Sequence, residues 1–320
     1  MKSHAAAKQQ QCRRITGMKS ELWWIFDALI IILGGYVIFS NAKRGMTKVF
    51  VMAIGYIVST ILASVLSAAA ATPLYKSVAR STNLIALEAV YNHVDLTDVF
   101  VKALEEKQYG FLVKPEFIAK TLNGENCEDF EDIFYNYVNE SSGAVVSDKE
   151  SFNRMLRDAF VKAYSKELND RMPRYVRRNF VDQVSNNPSL MRQIVVENFN
   201  ERHSDEQHAE LMEDLFSEEP STQVLQIFIY LIIFSILMVL SAVLAAVLQN
   251  KIFFNLHDGV DHALGGLLGV LEAGATVILV TFIIYLIIML SGNSLHLINE
   301  ATVQESKVFS FFYNHLNILL

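Results

Sequence analysis

The fold class that the sequence predicts is all-α: a polytopic membrane protein with four transmembrane helices in two hairpins and a helical extramembrane insertion domain. Three observations predict it: four long apolar runs, a concentration of charge between the second and third runs, and helical periodicity within that charged segment. Of the 320 residues, 52% are hydrophobic, and the mean hydropathy is +0.27. This is more apolar than an ordinary soluble protein of similar length.

The four apolar runs cover residues 22–40, 49–72, 224–248 and 263–290. A helix of 19 residues, the shortest run, is about 28 Å long, close to the ~30 Å hydrocarbon thickness of a bilayer. None of the runs contains Lys, Arg or His, and Asp27 and Glu272 are their only acids. Each run is therefore predicted to cross the membrane as a helix, which satisfies its backbone hydrogen bonds internally.

The segment 73–222 carries 17 of the 27 Lys and Arg residues and 27 of the 34 Asp and Glu residues, which gives it a formal charge of −10. This acidity argues against a nucleic-acid surface. Within it, Phe152, Phe160 and Tyr164 recur at helical spacing, and Ser147 followed by Glu150 predicts a capping box at the start of that helix. The segment is predicted to be a water-soluble helical domain between the two hairpins.

These observations divide the chain into five parts. The C-terminal part is apolar on nearly every side, and its length predicts that it lies in the membrane interface rather than crossing the bilayer. Cys12 and Cys127 are far apart and indicate neither a disulfide framework nor a metal-binding pair. The parts are an N-terminal tail (1–21), a first transmembrane hairpin (22–72), a soluble acidic insertion domain (73–222), a second hairpin (223–292) and an interfacial segment (293–320).

Small residues recur at four-residue spacing in the second and fourth apolar runs. Such spacing places them on one helix face, where a second helix backbone can approach closely in lipid. We expect these two helices to pack against each other or against copies of themselves. The two small-residue series are Gly55, Ser59, Ala63, Ser67 and Ala71 in the second run, and Gly265, Gly269 and Ala273 in the fourth.

Two stretches resemble a known family. WIFDALIIILGGYVIFSNAKRGMTKVF has an acid early in the first helix and an Arg-Gly turn at Arg44 and Gly45. In VDHALGGLLGVLEAG, the residues from Asp261 to Gly269 match a D-x-x-L-G-x-x-x-G entry to a last helix. Together they resemble the colicin V production protein family (CvpA), small bacterial membrane proteins. The likeness covers the four membrane helices, and departs from the family in Glu272, where members often carry a basic residue, and in the large insertion.

The resemblance implies a bacterial inner-membrane protein required for bacteriocin production or export. The basic residues of the first turn, Lys43, Arg44 and Lys48, lie on the same face as the loop between the third and fourth runs. Counting basic residues does not by itself orient the protein. The resemblance favours a cytoplasmic position for this face, which would place residues 73–222 outside the cell.

The stretch before the fourth run contains His257, Asp258, Asp261 and His262. Pairs four residues apart on a helix could hold a divalent ion, but Gly259 weakens a continuous helix there and short His/Asp clusters are weak motifs. We favour a polar collar at the entry to the fourth helix, with Asp258 or Asp261 accepting hydrogen bonds from the free N–H groups of its first turn. No metal site is predicted.

Glu272 lies well inside the fourth run, where an ionised carboxylate costs about 2.5–3.5 kcal/mol or more. Two interpretations stay open. Glu272 could face an aqueous path or an oligomer interface and titrate during function, or it could stay protonated and bond to a backbone carbonyl or to Ser or Thr of a neighbouring helix. Asp27 sits only about 7 Å deep, so the two acids are not expected to share a proton.

Motifs for nucleophilic, phosphate-binding, metal-dependent and dinucleotide-dependent catalysis are missing from the sequence, so we expect neither an enzyme nor a bound cofactor. His93, His203 and His208 are interpreted as solvated surface residues. The expected partners are the lipid bilayer and either copies of the chain or other membrane proteins, with a role in assembly and partner binding. The alternatives are an oligomeric transporter or channel using Glu272, and a sensor whose outer domain binds a ligand.

Overall fold

The computed structural model describes residues 22–44, 46–199, 204–248, 257–291, 295 and 297–316. Regular structure in these residues is helical throughout, without strands, and confirms the all-α prediction. The N-terminal tail, Cys12, Gly45 and His203 lie outside the described residues. The chain forms two compact units: Met1–Ala71 with Val224–Leu320, here called the membrane unit, and Thr72–Gln223, here called the insertion unit.

The helices follow one another with short connections. In chain order they are α1 (Trp24–Arg44), α2 (Met46–Leu74), a π-helical turn (Tyr75–Ala79), α3 (Arg80–His93), α4 (Leu96–Glu105), α5 (Pro115–Leu122), a 3-10 turn (Cys127–Asp129), α6 (Phe130–Ser142), α7 (Lys149–Arg171), α8 (Arg174–Asn186), α9 (Pro188–Asn198), α10 (Asp205–Phe216), α11 (Glu218–Leu248), α12 (Asp258–Ser291), α13 (Glu300–Glu305) and α14 (Phe309–Asn314).

Four helical segments are long and apolar enough to cross a membrane, as the sequence predicts. They are Trp24–Arg44, Val49–His93, Glu218–Val247 and Gly259–Ser291. The second continues from α2 into α3 through the π-helical turn, which begins two residues after Pro73. Proline removes one backbone hydrogen bond and crowds the preceding turn, and a wider helical turn is one way for a helix to continue past it.

In the membrane unit, α1 and α12 form the most extensive helix pair of the described residues. The two short helices α13 and α14 complete a small apolar cluster with them. Six residues make about 9 Å of helix, so neither α13 nor α14 can cross a bilayer. The cluster consists of Phe26, Ile30, Val277, Ile284, Ile288, Val303, Phe309 and Tyr313.

The outward faces of α2 and α11 carry aliphatic side chains. Val65 is 61% exposed, and Val239 is 64% exposed. A contiguous apolar surface of this kind would be a liability in water but is the normal surface of a helix in lipid. These faces are consistent with the membrane assignment of the unit.

The insertion unit has its own hydrophobic core, to which α7 contributes a stripe of buried residues that includes Phe152, Phe160 and Tyr164. The predicted Ser147 capping box is wrong by one residue. Asp148 is the N-cap, and its side chain accepts the N–H of Ser151 at 2.8 Å. Both residues are good N-caps, but the backbone becomes helical only at Lys149, so Asp148 takes the extended conformation that capping requires.

Candidate functional site

The central feature of the membrane unit is a buried hydrogen bond between α1 and α12. The side-chain amide of Asn41 donates to Oε2 of Glu272 at 2.6 Å. Asn41 is 1% exposed and Glu272 is 8% exposed. The hydroxyl of Tyr56 on α2 lies beside the same carboxyl group. Glu272 therefore has an amide partner, which was not among the predicted hydrogen-bond partners, a backbone carbonyl or a Ser or Thr side chain.

Glycines of α12 make this bond possible, because they let α1 come close. A Cβ at Gly269 would lie 2.9 Å from Cβ of Asn41 and 3.2 Å from Cα of Ile38. At Gly266 it would lie 3.4 Å from Cβ of Ala42. Since Glu272 follows Gly269 by three residues, it lies on the same face one turn along the helix. The absence of a side chain at Gly269 thus brings the amide within reach of the carboxyl.

Sequence reasoning missed Asn41 because the apolar run ends at Ser40. The available signal was periodicity rather than hydropathy. Asn41 follows the buried Ile30 by eleven residues, which is three turns of a helix, so the two residues share a face. Continuing the helix to the basic pair Lys43 and Arg44 would have placed a polar amide on the face that packs inward.

Two residues of the predicted collar bind the first hairpin, so the expected cap of the collar's own helix is wrong for Asp261 and stays a prediction for Asp258. Oδ1 of Asp261 accepts the backbone N–H of Met46 at 3.0 Å. Nδ1 of His262 lies 2.8 Å from the carbonyl oxygen of Ala42 and donates to it, because a carbonyl can only accept. Asp261 lies inside the first turn of α12 and caps the free N–H at the start of α2 instead of its own helix.

The remaining residues of the collar and the turn make no such contact that the structure describes. His257 is exposed. The side chains of Asp258 and Lys48 are outside the described part of the chain. Lys43 is exposed and places its Nζ 4.4 Å from the ring centre of Phe39 on its own helix.

Asp27 holds the C-terminal segment at the other end of α1. It is 9% exposed, and its carboxylate accepts three backbone N–H groups, those of Lys307, Val308 and Phe309, each at 2.9 Å. The rings of Phe26 and Phe309 pack at 5.2 Å. Asp27 therefore acts as a cap for the turn that begins α14, a role in which backbone N–H groups satisfy a buried carboxylate.

Apart from the half-buried Gly55, the members of the two small-residue series are buried, but the glycines of the two series meet different neighbours. Ser59, Ala63, Ser67 and Ala71 are at most 1% exposed, and Gly265, Gly269 and Ala273 are also buried. A Cβ at Gly55 would lie 2.6 Å from Cβ of Ser241 on α11, whereas Gly269 faces α1. At these two positions the series do not pack against each other, and the alternative, packing against copies of the chain, stays a prediction. Small residues permit close approach but do not select the partner.

The insertion unit contains a buried polar cluster where its chain enters and leaves. Glu213 on α10 is fully buried, and its Oε1 accepts the hydroxyl of Tyr75 at 2.5 Å. The Asn83 amide donates to the hydroxyl oxygens of Tyr75 (3.1 Å), Ser217 (2.8 Å) and Ser221 (3.3 Å). We call these five residues the buried polar cluster.

Charged side chains surround this cluster. Arg80 donates from Nε to Oε2 of Glu213 at 3.4 Å and from Nη2 to Oε1 of Glu210 at 3.2 Å. Burial raises the pKa of Glu213 above its ordinary value, against the lowering effect of the Tyr75 hydrogen bond and of Arg80. Carboxylate oxygens of Asp214 and Glu218 lie within 4.8 Å of one on Glu213. Arg80 pairs with Glu213 at 3.4 Å and Lys76 pairs with Glu218 at 3.7 Å, so both cations balance this acidic group.

His208 is not a surface residue, contrary to the sequence interpretation. It is 5% exposed, and its ring stacks on Tyr91 with the centres 4.5 Å apart. It lies on the face of α10 that also buries Ala209, Met212 and Phe216. Because α10 contains many acids, its apolar stripe is hard to see in the sequence. His93 is exposed, as expected.

The four spans, the close α1–α12 pair and the polar bonds between the hairpins define a class: α-helical multi-pass membrane proteins. Within that class, residues 205–317 match the sequence model of the family described as "Colicin V production protein". The predicted family is confirmed for this part of the chain, and the match supports a role of the colicin V production type. No curated protein and no solved structure matches the chain.

The family match covers about a third of the chain, less than the four membrane helices that the resemblance suggested. It contains one side of several polar contacts described above, through Glu213, Ser217, Asp261, Glu272 and the backbone of residues 307–309. The other side precedes it, in Tyr75, Asn83, Met46, Asn41 and Asp27. Within each unit, residues outside the match thus supply the polar partners of residues inside it.

Proposed function

We propose that this chain is a bacterial inner-membrane protein of the colicin V production type that acts by assembly and partner binding rather than by covalent chemistry. In this proposal it supports bacteriocin production or export and envelope homeostasis, with copies of itself or other membrane proteins as partners. The family match over residues 205–317 carries the proposal. That segment includes α11, α12 and both C-terminal helices.

The environment of Glu272 supports assembly over transport. Its carboxyl is buried and bonded to Asn41, and Gly269 holds the two helices together beside it. A transport carboxyl needs access to water, whereas a carboxyl that joins helices needs a fixed partner. The exposed aliphatic faces of α2 and α11 offer surfaces for lipid or for another membrane protein.

The proposed orientation places the basic turn at Lys43 and Arg44 in the cytoplasm and the insertion unit outside. Cys127 is a poor probe of this, because it is buried and burial raises its pKa to about 11. Single cysteines in a Cys12→Ser/Cys127→Ala background are better. Val145→Cys reports the insertion unit, where Val145 is 76% exposed, and Val260→Cys reports the other face, where Val260 is 48% exposed.

We expect an impermeant thiol reagent to label Val145→Cys in intact cells and Val260→Cys only after the cells are opened. The reverse pattern would refute the proposed orientation. Labelling of both positions in opened cells controls for reactivity.

The role itself is tested in the bacterium that carries the gene. Deletion is expected to reduce released bacteriocin activity, and both the wild-type gene and Glu272→Gln are expected to restore it, because glutamine keeps a hydrogen-bonding side chain at that position. Unchanged release after deletion would contradict the proposal. Ion or proton flux in liposomes that Glu272→Gln abolishes would instead support the transporter.

A further inference from the structure

A groove of about 670 Å³ runs between α4 and α7 in the insertion unit. Its lining on α7 extends from Ser151 to Lys166 with the i, i+3, i+4 spacing of one helix face. Four turns of that face measure about 22 Å. The facing residues of α4 and of the turn after it, from Val99 to Lys107, follow the same spacing. The groove is therefore the trough between two helices, open along its length.

The floor of this groove is apolar and mostly small. It is formed by Val99, Ala103, Met155, Ala159 and Ala163. Short side chains on both helices allow a third helix to lie close to their backbones. A groove of this shape and length fits the helix-in-groove mode of recognition, in which an amphipathic helix buries its apolar face.

The rim of the groove is basic although the unit is acidic. Five basic residues and two acids, Glu106 and Asp158, line it. Lys102 and Arg154 pair with carboxylates on their own helices, but Lys107, Lys162 and Lys166 make no ion pair with any residue that the structure describes. These three lysines leave positive potential along the groove of a segment whose net charge is −10.

We propose that this groove binds an acidic amphipathic helix of a partner protein, with its apolar face on the alanine floor and its carboxylates toward Lys107, Lys162 and Lys166. The inference rests on the proposed function and deepens it by naming the kind of partner. A flat anionic membrane surface would reach the rim lysines but not the recessed floor, so the shape favours a helix over a bilayer.

The test uses the full chain in nanodiscs of neutral lipid and a fluorescent 18-residue helical peptide with Leu and Ala on one face and Glu on its flanks. Binding is measured by anisotropy. Lys162→Glu/Lys166→Glu is expected to weaken binding about tenfold. The matched control, Lys114→Glu/Lys120→Glu, reverses two exposed lysines elsewhere on the unit and is expected to change binding less than about twofold.

A second variant, Ala159→Arg, separates shape from charge. It adds a positive charge but fills the floor, so the groove predicts weaker binding and simple charge attraction predicts stronger binding. Equal loss in both double variants, equal binding of a scrambled peptide, or no binding to the wild type would overturn the inference. The inference would also be overturned if Lys162→Glu/Lys166→Glu abolished binding of the chain to anionic vesicles and left its binding of the peptide unchanged. Such failures would not touch the role in bacteriocin release, which the deletion phenotype measures separately.

Discussion

Glu272 in the membrane unit and Glu213 in the insertion unit are both buried, but their carboxyl groups are satisfied in different ways. Glu272 in the membrane unit is bonded to the Asn41 amide, with a tyrosine hydroxyl nearby, and the described structure shows no cation bonded to it. Glu213 in the insertion unit receives the hydroxyl of Tyr75 and the guanidinium of Arg80, whose side chain is 32% exposed. The first carboxyl is bonded to a neutral amide, and the second is bonded to a charged group that reaches solvent.

The difference reflects the cost of charge in the two surroundings. In lipid, a cation beside the acid would itself have to be desolvated, so an amide partner costs less free energy than a cation. At the edge of a water-exposed domain, Arg80 can keep part of its guanidinium in water while it reaches inward. Removing the glutamate should therefore lower the free energy of unfolding more in the insertion unit, where more groups bond to the same carboxyl. The predictions below test this order.

The largest effect is expected for Glu213→Ala. It leaves the Tyr75 hydroxyl and the Nε of Arg80 without their carboxylate acceptor at a buried site, and it should cost about 3 kcal/mol or more in the free energy of unfolding. Thermal unfolding of the full chain in detergent, followed by circular dichroism, measures it. Glu210→Ala removes the exposed partner of the same Arg80 and should cost less than about 1 kcal/mol. Similar losses of stability in the two variants would show that the burial of Glu213 does not determine its contribution.

Gly269→Ala comes next. The new Cβ would meet Asn41 and the backbone at Ile38, so the α1–α12 pair must move apart, at a cost of about 1–3 kcal/mol. Gly274→Ala is the control on the same helix, because nothing lies within 4 Å of its added Cβ. It should be neutral or stabilising by up to about 1 kcal/mol. Unfolding of both variants by titration with a denaturing detergent compares them, and equal stability would contradict the close approach.

The Asn41–Glu272 bond itself should contribute a smaller energy. A double-mutant cycle of Asn41→Ala and Glu272→Ala is expected to give a coupling of about 0.6–1.7 kcal/mol. The control cycle pairs Asn41→Ala with Thr281→Val, whose hydroxyl bonds to Val277 of its own helix, and should be additive within about 0.5 kcal/mol. A coupling near zero in the first cycle would mean that the bond does not hold the helices together.

The smallest effect is a pH dependence at Glu213. Its pKa in the folded chain is raised from 4.5, so between 4.5 and the raised value the folded chain binds more protons than the unfolded chain. Its contribution to stability is thus full below pH 4.5 and is lost as pH rises through the folded pKa. We expect the melting temperature of the wild type, relative to that of Glu213→Gln, to fall with rising pH. A rise would indicate a lowered pKa.

The sequence predicted the features that depend on local pattern. The spans follow from hydropathy, and burial of Phe152 and Phe160 follows from helical spacing. Which helices and side chains contact each other could not be predicted, because Gly269 permits a close approach but does not determine which helix approaches. Asn41 was not predicted because the apolar run that hydropathy identifies ends at Ser40. The buried position of Glu213 was not predicted because the residue lies among other acids in the sequence. Its hydrogen-bond partner Tyr75 is 138 residues away in the chain.

The contact between Asp27 and the backbone at Lys307 also has a consequence for biosynthesis. The two residues are separated by 280 positions, so the first membrane helix leaves the ribosome long before its carboxylate can find these amides. At about 5–20 residues per second, this delay lasts roughly 15–60 seconds. During that time a nascent chain carries an unmatched acid near the start of its first span. Release of a protein truncated before Lys307 would make this immature condition permanent.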